Sequence, residues 1–459
     1  MKKVIETLKN IWRIEDLRQR LLITLLFVAI YRFGSFVVLP GIDPARLNQL
    51  QAQTSEGLMS LLNMFSGGAF SHASVFALGI MPYISASIVI QLLAVAVPHF
   101  QKMQKEGESG VRKLNQYTRW LTVAILLFQA PMYMINLSAQ VGGEGGAFTV
   151  GQGFGFMLTS TLILSAGSMF ILWLGERITD KGVGNGVSLI IMIGIIARFP
   201  SALMEEFTSA LSGAEGGGLI KLLFEIIALL FVMALSIILV KATRKVPVQY
   251  AKRIEGNRQF GGARQYIPLK LFAANVMPII FAQALMFIPL MLVRFQSDNS
   301  SSIVHSLMDN HSLLYNCIYV FLIIAFTYFY TGIVFNANEI AENLQKQGGF
   351  IEGVRPGAQT EKYLMRTVNR LILFGSIVLG IVAILPFVAE YLTYNLTGLQ
   401  GLRLSIGGTG ILIVVSVALE TLRQVNSRAL MVTYDDFDPD ELLDSDKKKS
   451  KKRRLFKKK

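Results

Sequence analysis

Ten stretches of roughly twenty apolar residues, spaced along 459 positions, constrain this chain more than any other feature. They lie at about 20–39, 73–97, 119–137, 154–175, 186–204, 219–241, 268–293, 313–335, 370–390 and 404–425. Each is near the length that a tilted helix needs to cross about 30 Å of hydrocarbon. Charged residues make up 16% of the chain, against about 25% in soluble domains. Backbone in lipid must satisfy its own hydrogen bonds, so the spans are expected to be helices and the class an all-α polytopic membrane protein. The first run, from Leu21, is followed by no small-residue cleavage pattern and reads as a retained span, not a signal peptide. The lone cysteine, Cys317, excludes a disulfide framework within the chain and reads as a small core residue.

The formal net charge of +14 raises the question of which side it lies on. With the N-terminus inside, 38 of the 44 Lys and Arg fall on inner segments. Arg46, Arg198, Lys221, Arg294 and Arg403 lie on outer segments or outer span ends, and Arg32 sits in span one near its outer end, where its head can snorkel. That asymmetry places both termini in the cytoplasm and makes the number of spans even. The expected organisation is a cytoplasmic segment 1–19, a five-helix half 20–205, a second five-helix half 206–433, and a disordered tail 434–459. The tail is acidic (TYDDFDPDELLDSD), then basic (KKKSKKRRLFKKK), and its basic end suits anionic lipid headgroups or, as an alternative, a ribosome or motor contact. Two inner loops, 241–270 and 336–370, are longer than connectors need. For their charge alone, the positive-inside rule is reason enough. In the second loop, Gly353, Pro356 and Gly357 flank Arg355 and would hold it at a rigid tip, which suits an acidic partner or RNA.

One stretch departs from plain anchoring. Ser66–Pro98 is interrupted by Gly67-Gly68 near its start and by Pro82 in its middle, and carries five serines. Helices that line a cavity tolerate such features. Its Met81-Pro82 recurs as Met277-Pro278 in span seven, with Ile84 and Ile280 each two residues after the proline. The fifth spans echo each other too, in Gly186-Val187-Ser188-Leu189-Ile190 and Gly410-Ile411-Leu412-Ile413-Val414. Five is odd, so the second half would enter the membrane upside down. An inverted repeat puts the working site at the midplane between the halves.

Several chemistries are missing. The chain has no GxxxxGK[ST], no HExxH and no GxSxG, and its four histidines are scattered, so no cofactor, metal or catalytic residue is expected. The acids in the spans, Glu225 and Glu420, lie toward span ends, where a proton- or ion-coupled carrier would need them at mid-membrane. This counts against a small-solute transporter, and the missing catalytic constellation against an intramembrane enzyme.

NMFSGGAFSHASVFALGIMPYISASIVIQLL (63–93) resembles the second span of the SecY family, the central subunits of bacterial protein-translocating channels. The resemblance continues in KEGESG (105–110), WLGERITDKGVGNGVSLII (173–191), YAKR (250–253), FIEGVRPGAQTEKYL (350–364) and GGTGILIVVSVALETLRQV (407–425), in the family's order. It implies ten transmembrane helices in two pseudo-symmetric inverted halves. It implies a plug over about 57–71, hinged at Gly67 and Gly68, and a pore ring of Ile80, Ile84, Val187, Ile191, Ile280 and Ile413. Val187 departs from the isoleucine common there, so the ring would be slightly looser. The resemblance also implies a lateral gate between spans two and seven, carrying Pro82, Gln91, Asn275 and Pro278. For Asn275 an ordinary interhelical contact fits equally. The expected partners are SecE and SecG subunits, with the SecA motor ATPase and the ribosome on Arg253 and Arg355. The expected cargo is unfolded secretory and membrane polypeptides, and the expected location is the bacterial inner membrane.

Overall fold

The computed structural model describes residues 12, 14–44, 47, 63, 65–141, 148, 153–212, 218–250, 253–255, 258–260, 264–271, 277–293, 312–397 and 408–435. Helices dominate: α1 (Glu15–Gly34), α2 (Met81–Ala96), α3 (Pro98–Lys105), α4 (Glu108–Val141), α5 (Phe154–Lys181), α6 (Gly186–Ser212) and α7 (Gly218–Lys241). After four strands come α8 (Met277–Val293), α9 (Leu313–Val334), α10 (Ala337–Lys346), α11 (Ala358–Thr397) and α12 (Gly408–Asp435). Five helical stretches are long and apolar enough to cross a membrane: Glu108–Ser138, Phe154–Lys181, Gly186–Met204, Leu313–Lys346 and Ala358–Leu385. The pair α2–α3, bent by 102° at Val97, makes a sixth if taken as one broken span. The other helices do not reach that criterion over their described residues.

The helix ends follow local chemistry. Glu15 and Asp16 open α1 and Arg32 closes it, each sign matching the helix dipole. Asn185 caps α6, its Oδ1 accepting from the Ser188 amide at 3.2 Å. The α5–α6 corner is tight because Gly186 lies against the Gly175 carbonyl, where a Cβ would collide. Val97 ends α2 in extended backbone, as the residue before Pro98 prefers.

Pro82 does not interrupt a helix. It lies in the first turn of α2, where a missing N–H costs nothing, and residues 66–80 before it are turns. The span expected over 73–97 is therefore a buried turn segment joined to a 16-residue helix. Pro278 has the same place, second in α8. Cys317 is exposed on the outside of α9 and is not a core residue.

The long loops carry strands, which corrects the all-α expectation there, although the second also holds α10 and the start of α11. β1 (Thr243–Tyr250) pairs antiparallel with β4 (Arg264–Lys270), from Thr243↔Lys270 to Gln249↔Arg264. β5 (Gly349–Phe350) extends β1 on its other edge, while β2 (Arg253–Glu255) and β3 (Arg258–Phe260) form a separate two-stranded ribbon. Val246 and Val248 alternate inward along β1, the period of a half-buried strand. They pack with Leu269, Leu344, Ile351, Leu364, Val368 and Ile372, which ties the sheet to α10 and the start of α11. At about 1.5 Å per residue, the 40 residues of α11 run about 60 Å, twice the hydrocarbon thickness.

Candidate functional site, an aliphatic waist beside a pinned turn

The largest buried cluster draws on both halves. It contains Ile80, Ile84, Ile191, Ile280 and Ile413, each 4% exposed or less, with Val187 partly buried against it. Ile80 is the N-cap of α2 and Ile84 lies one turn on, its amide on the Ile80 carbonyl at 3.1 Å. Val187 and Ile191 are likewise four apart on α6, so both pairs present one helix face. Ile280 comes from the first turn of α8 and Ile413 from α12. Helix α2 packs on α8, and α6 on α12, so the pairs matched by the repeat touch each other. The six residues that the family motifs single out thus come together from four helices. This aliphatic part of the cluster, the waist, has no directed bonds to offer.

The waist continues into the turn segment through Phe65, Ala69 and Phe76 of the same cluster. Gly67 and Gly68 take φ of 67° and 90°, which a residue with a Cβ adopts only with strain. Inside the turn, the Gly68 amide donates to the Asn63 carbonyl at 2.9 Å and the Phe70 amide to Ser66 Oγ at 3.0 Å. From outside it, Tyr31 Oη donates to the Ser66 carbonyl at 3.2 Å and Arg32 Nη1 to the Gly67 carbonyl at 2.9 Å. Tyr133 Oη, from α4, donates to the Phe70 carbonyl at 2.9 Å. Arg32 thus turns inward onto the turn instead of snorkelling. Burial, then the charges of Arg32 and Arg198, hold the His72 imidazole below its usual pKa, favouring the neutral form. Of the plug expected over 57–71, residues 57–62 and 64 lie outside the described residues.

The other expected site residues are more scattered. Pro82 and Pro278 are buried at the starts of the two helices that pack together, α2 and α8. Gln91 Nε2 donates to Ser87 Oγ at 3.0 Å, a bond within α2. Asn275 lies outside the described residues. Arg253 opens β2. Arg355 is exposed at a tip whose ends, Gly353 and Gly357, have φ of 82° and 96°, and Thr360 Oγ1 ties down its carbonyl at 2.9 Å. No group of three or more potential metal ligands occurs among the described residues. Sequence reasoning missed Tyr31 and Tyr133. An arginine inside a span was a signal for the first, because intramembrane charge is rare without a partner. Nothing local marks Tyr133.

The SecY family model matches residues 74–422. A protein translocase subunit SecY from Aquifex aeolicus is 41% identical over 431 residues, covering 94% of this chain and 98% of that protein. Among solved structures, one described as showing that the plug domain of SecY stabilises the closed state of the channel and maintains a membrane seal superposes with a TM-score of 0.61. It is 18% identical and covers 89% of this chain and 92% of its own. Sec61 in a canine ribosome-channel complex gives 0.58 at 17% identity, over the same shares. These two structures speak for the fold, and the sequence matches decide the family. The chain belongs to the SecY family of protein translocase subunits.

Proposed function

We propose that this chain is the central, channel-forming subunit of a translocase, passing unfolded polypeptides across the bacterial inner membrane and apolar segments sideways into lipid. Ten spans in two inverted halves surround the pore, both termini face the cytoplasm, and Ile80, Ile84, Val187, Ile191, Ile280 and Ile413 form its ring. The observation that carries this reading is the gathering of those six aliphatic residues from α2, α6, α8 and α12 into one buried cluster. A narrow aliphatic collar excludes water and ions by dewetting when empty. It is also indifferent to the side chains that pass, where polar groups would bind some and stall them.

The turn at 66–71 belongs to a plug over about 57–71 that closes the collar from outside, with Gly67 and Gly68 as its hinge. The seam between α2 and α8, with Pro82, Gln91, Asn275 and Pro278, is the lateral gate. Polar contacts there are worth about 0.6 kcal/mol each in membranes, weak enough for a signal sequence to displace. Apolar segments of about twenty residues then leave because partitioning into lipid favours them.

The chain has no nucleotide motif, so the driving force comes from partners. The SecA motor and the ribosome dock on the cytoplasmic sheet and tip, through Arg253 and Arg355. A ribosome-bound relative of the same fold supports the second. SecE and SecG complete the complex, and the basic tail meets anionic lipids. Crosslinking of a stalled secretory chain to Ile84→Cys and Ile280→Cys tests the pore. Crosslinks at both positions are expected, and none at either would remove the channel reading.

A further inference from the structure

The turn at 66–70 and the segment just after it are held by different means. Residues 73–75 are tied to the chain leaving α1 through main-chain bonds: the Leu39 amide to the Ala73 carbonyl and the Val75 amide to the Val37 carbonyl, both at 2.9 Å, around the bridge Val38↔Ser74. The turn is held instead by side chains reaching across from other helices, Tyr31 and Arg32 on α1 and Tyr133 on α4. Tyr31 is 1% exposed and Tyr133 5%, so their hydroxyls have no water to exchange with. Arg32 also lies over the Phe36 ring, 5.2 Å from its centroid, and Phe36 leans on His72 at 5.6 Å. Each of the three donors ends on a backbone carbonyl, of Ser66, Gly67 and Phe70 in turn. Such bonds break without unfolding a helix and re-form whenever the turn returns.

One contact beneath the turn is bare backbone. Gly67 lies on Gly194 of α6, where a Cβ on Gly67 would come within 2.9 Å of the Gly194 Cα. At that point no side chains interlock, while Phe65 and Ala69 pack into the large cluster and Phe70 meets the Tyr133 ring edge-on at 4.9 Å. The tied segment opens on Ala73, fully buried with φ of 44°, a left-handed conformation that costs alanine about 1 kcal/mol or more.

We propose that Tyr31, Arg32 and Tyr133 form a three-point latch that holds the plug shut. This rests on the reading of 66–71 as part of a plug. The three side chains are positioning residues: they set how often the turn leaves, while the aliphatic ring sets what the pore passes. Arg32 contributes a charge-assisted bond, the strongest class of the three.

The test uses the whole channel complex in intact cells, in a Cys317→Ser background with Ser71→Cys as the reporter. Ser71 is buried in the closed turn, its Oγ donating to the Gly68 carbonyl at 3.0 Å. A membrane-impermeant maleimide is added outside. Combining Arg32→Gln with Tyr31→Phe is expected to raise the labelling rate at least tenfold, and Tyr133→Phe alone about threefold. Arg32→Lys, which keeps a charged donor, should return the rate to within about threefold of the parent. Ion conductance of the purified idle complex in planar bilayers should rise in the same order. Labelling and conductance equal to the parent in both Tyr133→Phe and the double variant would overturn the latch. A rate for Arg32→Lys as high as for Arg32→Gln would overturn the role of the charge. Tyr133→Phe removes one oxygen atom and keeps the test open where the double variant folds poorly. Labelling reports the turn's position whether or not a polypeptide moves, so its failure is separable from failure of the pore crosslinks.

Discussion

The waist and the turn beside it share apolar packing but differ in what is added to it. The waist residues, five isoleucines and one valine, are held in or against the large cluster by area removed from water. The turn is held by hydrogen bonds from named donors to named carbonyls, at 2.9 to 3.2 Å. Apolar contact has no preferred partner, so a collar made of it closes on whatever lies inside it. Hydrogen bonds have direction, so those on the turn favour a single seat. Substitutions in the two places should therefore fail differently.

The largest effect is expected at the waist. Ile280→Asn or Ile413→Asn removes buried aliphatic area worth about 2 kcal/mol. It also buries an amide short of partners at about 1–3 kcal/mol. A closed state weakened by about 3 kcal/mol opens about 100-fold more often. Export of a precursor with a defective signal sequence and ion leak should both rise, and no change in either removes these residues from the ring. Next is the seat of the turn. Gly67→Ala forces a Cβ toward the Gly194 backbone at positive φ, a cost of about 2 kcal/mol, or about 30-fold in opening. Leak should rise while the size of chain that passes stays the same. A narrowed pore would show that the turn and the collar are one device and not two.

Arg355→Glu sharpens the contrast from outside both regions. Reversing the exposed tip charge should slow motor-driven export in vesicles about tenfold and leave idle conductance unchanged. Normal motor-driven export would end its docking role. The smallest effect is expected for Val187→Ile, which adds one methylene to the loosest ring position, about 0.8 kcal/mol, and lowers residual leak about fourfold. A higher leak would mean that the site is already full.

What could be read from the chain divides along the same line. That the six residues share one buried cluster was foreshadowed by their fixed places in helices, next to Met81-Pro82, Met277-Pro278 and the two glycine-led fifth spans. The role of Pro82 was misread, because a proline in an apolar run looks the same whether it kinks a helix or starts one. The strands after Lys241 were hidden by their charges, although Val246 and Val248 already alternate. The donors on the turn were not legible. Tyr31 and Arg32 act 35 residues away and Tyr133 acts 63 away, and no local pattern encodes a bond that only packing creates.

Helix α11 belongs to two clusters at once. Leu364, Val368 and Ile372 pack under the cytoplasmic sheet, while Leu379, Val382 and Ala383 pack in the cluster that holds the waist. From Val368 to Val382 is about 21 Å along one helix, and no proline lies between them. A tilt of about 10° carried over that arm displaces one end by roughly 4 Å relative to the other. The sheet and the cluster that holds the six aliphatic residues are thus opposite ends of a single lever, and a push on one end is already a movement of the other.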